Sequence, residues 1–510
     1  MSALTKVTWP HLLCLAAVGV YLVKQVFRKN PAPYPPGPPG LPLIGNVLDM
    51  PNIRPWLTFA EWGRKYGDIS HIEVLGQHFM VVNSSKIAMD MLDKKSSIYS
   101  DRPVLPMAGE LVGWKHMLGF SPYGDRFRRY RKDFHRAIGT RAAMDAYNPV
   151  EDIETRRFLK RVLMKPDQLE KHVRHTAGAI ILRISYGYEV KESNDPFVDI
   201  ADRALEQFSL ATAHGAFMVD MIPLLAKVPE WFPGAGFKRL AREWHKNVEE
   251  MASAPYNFVR DQMAAGIAPK SFTSALLEGQ DLSSAENEMA KWSALSLYGG
   301  GSDTTVSAIY SLFLAMTLFP DVQKKAQAEI DAVVGPDRLP SFADRASLPY
   351  IEALAKEVLR WNVVAPTGFV HCVTEDDIHD GYYIPKGSLI IPNQWFMLHN
   401  PETYADPSQF KPERFLVNDG KKSEPEPRTM CFGFGRRICP GLLLAEASVW
   451  ISAAMSLAVF DISKVVENGV EITPEVDPSS VTISHPKPFR CSIKARSAKA
   501  IELIQQDANY

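Results

Sequence analysis

Cysteine is scarce in this chain. Five residues, Cys14, Cys372, Cys431, Cys439 and Cys491, are scattered over 510 positions. An odd, sparse set is no disulfide framework and fits a reducing compartment. No two of them have C-x-x-C spacing, which sets aside the common zinc and dithiol sites. Charge of one sign is missing as well. Lys plus Arg number 57 and Asp plus Glu 58, so net charge gives no argument for a nucleic-acid partner. There is no internal repeat and no low-complexity run. After Gly45 there is no second linker, which favours one large domain over several small ones. A chain of this length can bury a large core without covalent staples.

What is present begins with an apolar run from Val7 to Val23, extended to Phe27. That is about the ~20 residues needed to span a bilayer. Pro10, His11, Lys24 and Gln25 interrupt it. A cleaved signal peptide is the rival, but no convincing small-x-small cleavage site precedes the prolines. Lys24, Arg28 and Lys29 follow the run and only Lys6 precedes it, so the positive-inside rule places the remainder in the cytosol. Residues 1–29 are therefore expected to be a membrane anchor. Residues 30–46, containing Pro35-Pro36-Gly37-Pro38-Pro39-Gly40, are expected to be a proline-rich hinge acting as a semi-rigid spacer. Residues 47–510 are expected to form the catalytic domain. The sequon Asn83-Ser84-Ser85 would go unused on the cytosolic side.

Apolar periodicity predicts a long buried helix over about residues 286–317 and a second over Leu348 to Trp361. Strand patterns are short: His71 to Leu75, Met80 to Asn83, Tyr382 to Ile384 and Ser388 to Pro392. The expected fold is mainly α with a small β-sheet region.

The most informative stretch is Cys431-Phe432-Gly433-Phe434-Gly435-Arg436-Arg437-Ile438-Cys439-Pro440-Gly441. Gly433, Gly435 and Gly441 permit backbone closed to other residues. Cys439 stands beside two arginines at the start of an apolar helix, a setting that predicts a lowered thiol pKa and a thiolate. A thiolate is the ligand that pushes electron density into haem iron. A buried structural cysteine in a glycine-rich turn is the bland alternative. Against it, Phe432, Gly435, Arg437, Cys439 and Gly441 together match F-x-x-G-x-R-x-C-x-G, and chance agreement at five positions is remote.

On these residues the chain resembles the cytochrome P-450 superfamily over nearly its whole length. The resemblance implies a triangular, mostly helical single domain holding haem b between a long central helix and the cysteine loop. Cys439 would be the axial iron ligand, Phe432 would pack near its sulfur, and Arg437 would pair with a propionate. Glu357 and Arg360, at i and i+3, would join Arg414 of Lys411-Pro412-Glu413-Arg414-Phe415 as a folding triad. E-x-x-R alone is weak, since most such pairs are surface decoration.

Gly299-Gly300-Gly301-Ser302-Asp303-Thr304-Thr305 lies in the long helix, where three glycines are costly. A phosphate loop would need a lysine after them, and none follows. A local opening for a ligand accounts for them better, and the resemblance makes Asp303 and Thr304 the acid-alcohol pair that delivers protons to bound dioxygen. A basic run from Arg126 to Arg136 reads mostly as a solvated face. Within it the family's W-x-x-x-R becomes Phe127-x-x-x-Arg131: Arg131 keeps a propionate role, while Phe127 has no N–H to donate. His371 stands where the family often binds the second propionate. The remaining arginines, with Arg436, would dock an acidic electron donor.

The implied activity is insertion of one oxygen atom of O2 into an apolar small molecule. Its electrons would come from NADPH-cytochrome P-450 reductase, with cytochrome b5 as a further donor, at the cytosolic face of the endoplasmic reticulum. The chain most resembles the fungal microsomal branch, among mushroom secondary-metabolism oxidases. That points to a tailoring step on a terpenoid or indole-type intermediate. Broad xenobiotic oxidation, or a haem-thiolate isomerase or dehydratase that uses no O2, are the alternatives. Expected pocket stretches are Met107 to Phe120, Phe208 to Phe217, Leu295 to Gly300 and Val363 to Pro366.

Overall fold

Two alternating segments, Ile69–Val74 (β1) and Gln77–Val82 (β2), pair antiparallel from Ile69↔Val82 to Val74↔Gln77. Leu75 and Gly76 close the hairpin, both at positive φ (50° and 86°), as a two-residue turn between twisted strands requires. His371–Cys372 (β3) and Leu389–Pro392 (β4) complete a four-stranded sheet of order β1-β2-β4-β3, with β4 parallel to β2. This computed structural model describes residues 30–213, 215–279, 281–417, 422–479 and 482–506. The anchor expected over residues 1–29 lies outside the described residues.

Helices carry most of the chain. Those that position the site are Asp125–Ile138 (α1), Asn148–Met164 (α2), Leu169–Tyr186 (α3), Pro196–Thr212 (α4), Gly236–Ala264 (α5), Ser284–Ser302 (α6), Thr304–Leu318 (α7), Pro349–Trp361 (α8) and Leu442–Val459 (α9). Both α7 and α9 are apolar on every side, the pattern of a helix surrounded by other elements. They lie in one buried cluster with Val306, Phe313, Leu354, Val449 and Leu457. α9 is long and apolar enough to cross a membrane, yet 78% of it is buried inside the protein, so it is a core helix. The single helix expected over 286–317 is two, α6 and α7, broken at Asp303 (φ −117°, ψ −37°).

The proline-rich segment is not a free spacer over its described length. The Pro36 carbonyl accepts from His71 N–H (3.0 Å), the Pro33 carbonyl from Tyr383 N–H (2.8 Å), and Asn46 N–H donates to the Glu73 carbonyl (2.6 Å). Tyr34 stacks on His71 and His78. Gly37 passes so close to β1 that an added Cβ would lie 1.9 Å from the His71 carbonyl oxygen. Only glycine fits there. Asn83 of the sequon is buried; its amide donates to the Phe59 carbonyl (3.0 Å) and its Oδ1 accepts from Asn393 (2.8 Å). This folded state has no room for a glycan on Asn83.

Where α2 packs on α9, Glu151 is fully buried. Ser448 Oγ donates to its Oε1 (3.2 Å) and its Oε2 has no partner. Burial lifts its pKa to about 8, against the smaller opposing pulls of Ser448 and Arg345. In the unfolded chain the same carboxyl ionises near its ordinary value. Between that value and about 8, rising pH therefore favours unfolding through this group, and the penalty levels off above. Glu151→Gln keeps the acceptor and removes the charge. Its melting temperature should exceed that of the unmodified protein by a gap that is absent in acid, widens up to about pH 8, and then stays constant. Melts at several pH values check this.

Candidate functional site

The cysteine loop is set by backbone. Gly433 and Gly435 have φ of 79° and 55°, and a Cβ on Gly435 would lie 2.2 Å from the Leu92 carbonyl oxygen. Cys439 N–H donates to the Phe432 carbonyl (2.8 Å), which closes the loop just ahead of α9. The Cys439 side chain opens into a cavity of about 300 Å³, shared with Phe432, Gly441, Leu444, Gly300, Asp303 and Thr304. Chemistry predicted from residues more than a hundred positions apart is thus gathered at one place.

The expected lowering of the Cys439 pKa is not what the loop produces. Burial raises it, and this outweighs the Gly441 N–H and the charge of Arg131. The neighbouring arginines do not aim at the sulfur. Arg436 is exposed with its guanidinium over the Tyr123 ring (5.0 Å), and Arg437 points away into the fold. The side chain lies deep in the protein but is open to the cavity, and a thiol held neutral in this way becomes a thiolate by binding a metal.

A cluster of cations borders the same cavity. Arg437 donates to the carbonyls of Ser100 (2.7 Å), Leu118 (3.4 Å) and Ser121 (2.8 Å). Arg131 donates to the Ile438 carbonyl (2.6 Å), and Arg102 to those of Gly119, Phe369 and Val370. All three line the cavity, and among the described residues none has a carboxylate in ion-pair contact. Burial pushes the Arg437 pKa down to about 10, and burial with repulsion from Arg437 lowers that of Arg102. Asp101 offsets part of the charge on Arg102 and Arg437, and the rest of the cluster's charge is met only by backbone carbonyls. Such a group calls for a ligand with more than one negative charge. The two propionates of haem meet that need, so the residues fit the group.

Phe127, which lacks the family's N–H, has another use: the Arg437 guanidinium lies 3.9 Å from its ring centroid, a cation–π contact that orients the arginine. His371, buried on β3, directs Nδ1 at the Tyr99 carbonyl (2.8 Å), which leaves Nε2 for the cavity side. Burial and the charge of Arg102 hold its pKa well below the ordinary value. Nδ1 carries the proton, so Nε2 would meet a carboxylate as a donor only after a second proton is taken up.

At the break between α6 and α7, Thr304 Oγ1 donates to the Gly300 carbonyl (2.8 Å). A Cβ on Gly300 would meet nothing within 4 Å, whereas one on Gly301 would lie 2.7 Å from Ile181. Gly300 therefore makes the open room and Gly301 lets α3 approach. Asp303 accepts from Arg174 Nη1 at Oδ1 (3.1 Å) and from His485 Nε2 at Oδ2 (3.1 Å). Burial pushes its pKa up, but these two partners together win and hold it below the ordinary carboxyl value. Of the expected pocket stretches, Met117 to Phe120, Phe208, Ser296, Leu297, Gly299, Gly300, Val364 and Ala365 line the cavity; Met107 to His116 and the described residues among 209–217 do not.

Behind the loop, fully buried Glu357 accepts from Arg360 Nε and Nη2 (2.7 and 2.8 Å), Arg414 Nε (3.2 Å) and Lys411 N–H (2.8 Å). The triad expected from the sequence is assembled. Arg102, Arg174, His485 and Gln394 were not foreseen. Gln394 is buried with an unpartnered amide oxygen and also borders the cavity. The Asp101-Arg102-Pro103 and Ser484-His485-Pro486 neighbourhoods carry no local pattern that marks them.

The family described as "Cytochrome P450" matches residues 35–492. Cytochrome P450 monooxygenase 208 of Postia placenta is 55% identical over 493 residues, covering 96% of each chain. Cytochrome P450 monooxygenase claR of Ampulloclitocybe clavipes is 50% identical over 496 residues, covering 97% of this chain and 92% of its own. Cytochrome P450 monooxygenase ppsD of Aspergillus oryzae is 42% identical over 503 residues, covering 97% and 95%.

Proposed function

The chain belongs to the cytochrome P450 family and is a monooxygenase, and from that premise we propose that it hydroxylates a neutral, apolar small molecule, a terpenoid or indole-type intermediate, in a tailoring step of fungal secondary metabolism. The observation that carries this reading is the cavity. The side from which Phe120, Leu205, Phe208, Leu297, Val364 and Ile483 reach it is apolar. Phe120 and Phe208 meet edge to face there (5.7 Å, 87°). Ser296 also borders the cavity, but its hydroxyl is spent on the Trp292 carbonyl and the Leu118 N–H. A substrate gains little there except by burying apolar surface.

The family implies a thiolate-ligated haem, which when bound supplies the activation of O2 for insertion into a C–H bond. Haem b is the form proposed here. Cys439 would hold its iron and Arg102, Arg131 and Arg437 its carboxylates, with His371 beside them as a donor once doubly protonated; Phe432 would cover the sulfur. Thr304 presents a hydroxyl to the cavity, and Asp303 stands next to it as proton source. Thr304→Ala should keep the haem spectrum yet divert reducing equivalents, raising peroxide per NADPH several-fold; unchanged coupling would count against the role. Arg128 and Arg436 flank Tyr123 on the surface beside the cysteine loop and suit an acidic reductase, or cytochrome b5. The anchor over residues 1–29 is proposed to hold the protein on the endoplasmic reticulum.

Titrating the purified ferric protein with sesquiterpenes and with indoles, followed in the Soret band, tests the substrate class. A saturable high-spin shift with either supports the reading. No shift with either, in protein that still gives a thiolate-type CO spectrum, rejects both scaffolds. Turnover that consumes no NADPH would favour the isomerase or dehydratase alternative.

A further inference from the structure

Asp303, at the cavity, has both carboxylate oxygens occupied by cationic or cation-capable partners. Arg174, on α3, takes Oδ1, and its own charge is shared with Glu170 (3.4 Å) and Asp202 (3.8 Å) toward the surface. His485 takes Oδ2 from a different part of the chain, the segment that follows Thr482. An anion locked in this way is a poor proton donor, since it must first gain a proton. Arg174 cannot provide one: a guanidinium stays protonated at working pH, and here its acidic neighbours hold its proton more firmly still. The imidazole of His485 can. Its side chain is only partly exposed, enough for exchange with water at one side while Nε2 rests on Asp303.

The same segment touches the substrate side. Ile483 lines the cavity, two residues from His485. Ser484 is fixed between them: its carbonyl accepts from Ser307 Oγ on α7 (2.6 Å) and its N–H donates to the Val364 carbonyl (2.8 Å). Thr482 Oγ1 meets Thr212 Oγ1 at the end of α4 (2.8 Å). One short stretch thus contacts the cavity, the end of α4 and the acid.

We propose that His485 is the proton-donating partner of Asp303, and that the segment from Thr482 to His485 makes this donation sensitive to what fills the cavity. In the step, the Nε2–H bond of the imidazolium breaks and an O–H bond forms at Asp303 Oδ2. The imidazole is left neutral and regains a proton from water, and no electrons are exchanged. Protonation also releases the carboxyl from His485, so it can turn toward Thr304. The titratable groups that face Asp303 are Arg174, His485 and, through Arg174, Asp202 and Glu170.

The inference rests on the monooxygenase reading and is tested with His485→Gln and His485→Leu in the full-length holoenzyme. Glutamine can still donate a hydrogen bond to Asp303 but cannot hand over a proton; leucine can do neither. The first readout is the infrared carboxyl band of Asp303, identified by its loss in Asp303→Asn. In His485→Leu this carboxyl should protonate at higher pH than in the parent, because one of two stabilising partners is gone; in His485→Gln the shift should be smaller. The second readout is product per NADPH, which should fall on the order of a hundredfold in both variants. A glutamine variant coupled as well as the parent would overturn proton donation. A leucine variant with an unmoved infrared titration would overturn the contact itself. A parent enzyme that turned over without NADPH would instead refute the monooxygenase reading, and the infrared arm would still decide on His485.

Discussion

Replacing Cys439 by alanine should give a folded protein that no longer yields a thiolate-type ferrous–CO spectrum and has no detectable monooxygenase activity. The residues that flank Cys439 at the cavity, Phe432, Pro440, Gly441 and Leu444, carry no side-chain atom that could take over the iron-ligand role. The loop itself should survive, because its closing hydrogen bond, Cys439 N–H to the Phe432 carbonyl, is made by backbone. The arginine cluster would still attract the carboxylates, so residual haem is expected with altered ligation rather than complete loss. An unchanged CO spectrum in Cys439→Ala would remove the assignment.

The second large effect lies behind the loop. Glu357→Gln should prevent accumulation of folded holoprotein. Glu357 is the shared counter-ion of Arg360 and Arg414, and Glu357 and Arg360 are both completely buried. A neutral amide keeps one acceptor oxygen but leaves Arg360 in the interior without a counter-ion, beside the carbonyls of Leu398 and Gln409 and the Tyr404 ring. Breaking a buried pair from one side costs about 3–5 kcal/mol, a large share of the ~5–15 kcal/mol that holds a typical domain together. Arg360→Lys should fail for a related reason, since an ammonium cannot reproduce the two parallel bonds from Nε and Nη2. Arg414→Lys should be milder, because Arg414 also pairs with Glu424 (2.5 Å) near the surface. Urea midpoints and the yield of CO-binding protein report on all three. Glu357→Gln with a midpoint near that of the parent would show that the triad is not a folding element.

The legible parts of this molecule are those in which a chemical need is written into neighbouring residues. Gly433 and Gly435 stand where the backbone turns left-handed or meets Leu92, so the loop could be read before its contacts were known. Glu357 and Arg360 share one helical face, and the strands around Val74–Gln77 announce themselves by alternation. What stayed hidden depends on segments distant in sequence. Arg102 matters because Arg131 and Arg437 come to the same cavity, and His485 because its segment folds back on the α6–α7 break. The sign of the Cys439 shift was missed for a similar reason: proximity of Arg436 and Arg437 is visible in sequence, but that Arg436 turns to Tyr123 and that burial dominates are tertiary facts. The proline run was read as a spacer from its stiffness alone, whereas its pairing with β1 depends on Gly37 lying against His71.

The central claim is that the cavity shared by Cys439, Asp303 and Thr304 inserts oxygen from O2 into an apolar substrate. The most direct test is a single incubation under isotopically heavy dioxygen with NADPH, reductase and whichever ligand gives the high-spin shift, read by mass spectrometry of the product. One heavy oxygen atom per product, with NADPH consumed in step, is the predicted result. A product that forms without heavy oxygen and without NADPH would contradict the account and identify the cavity as the site of a rearrangement or dehydration.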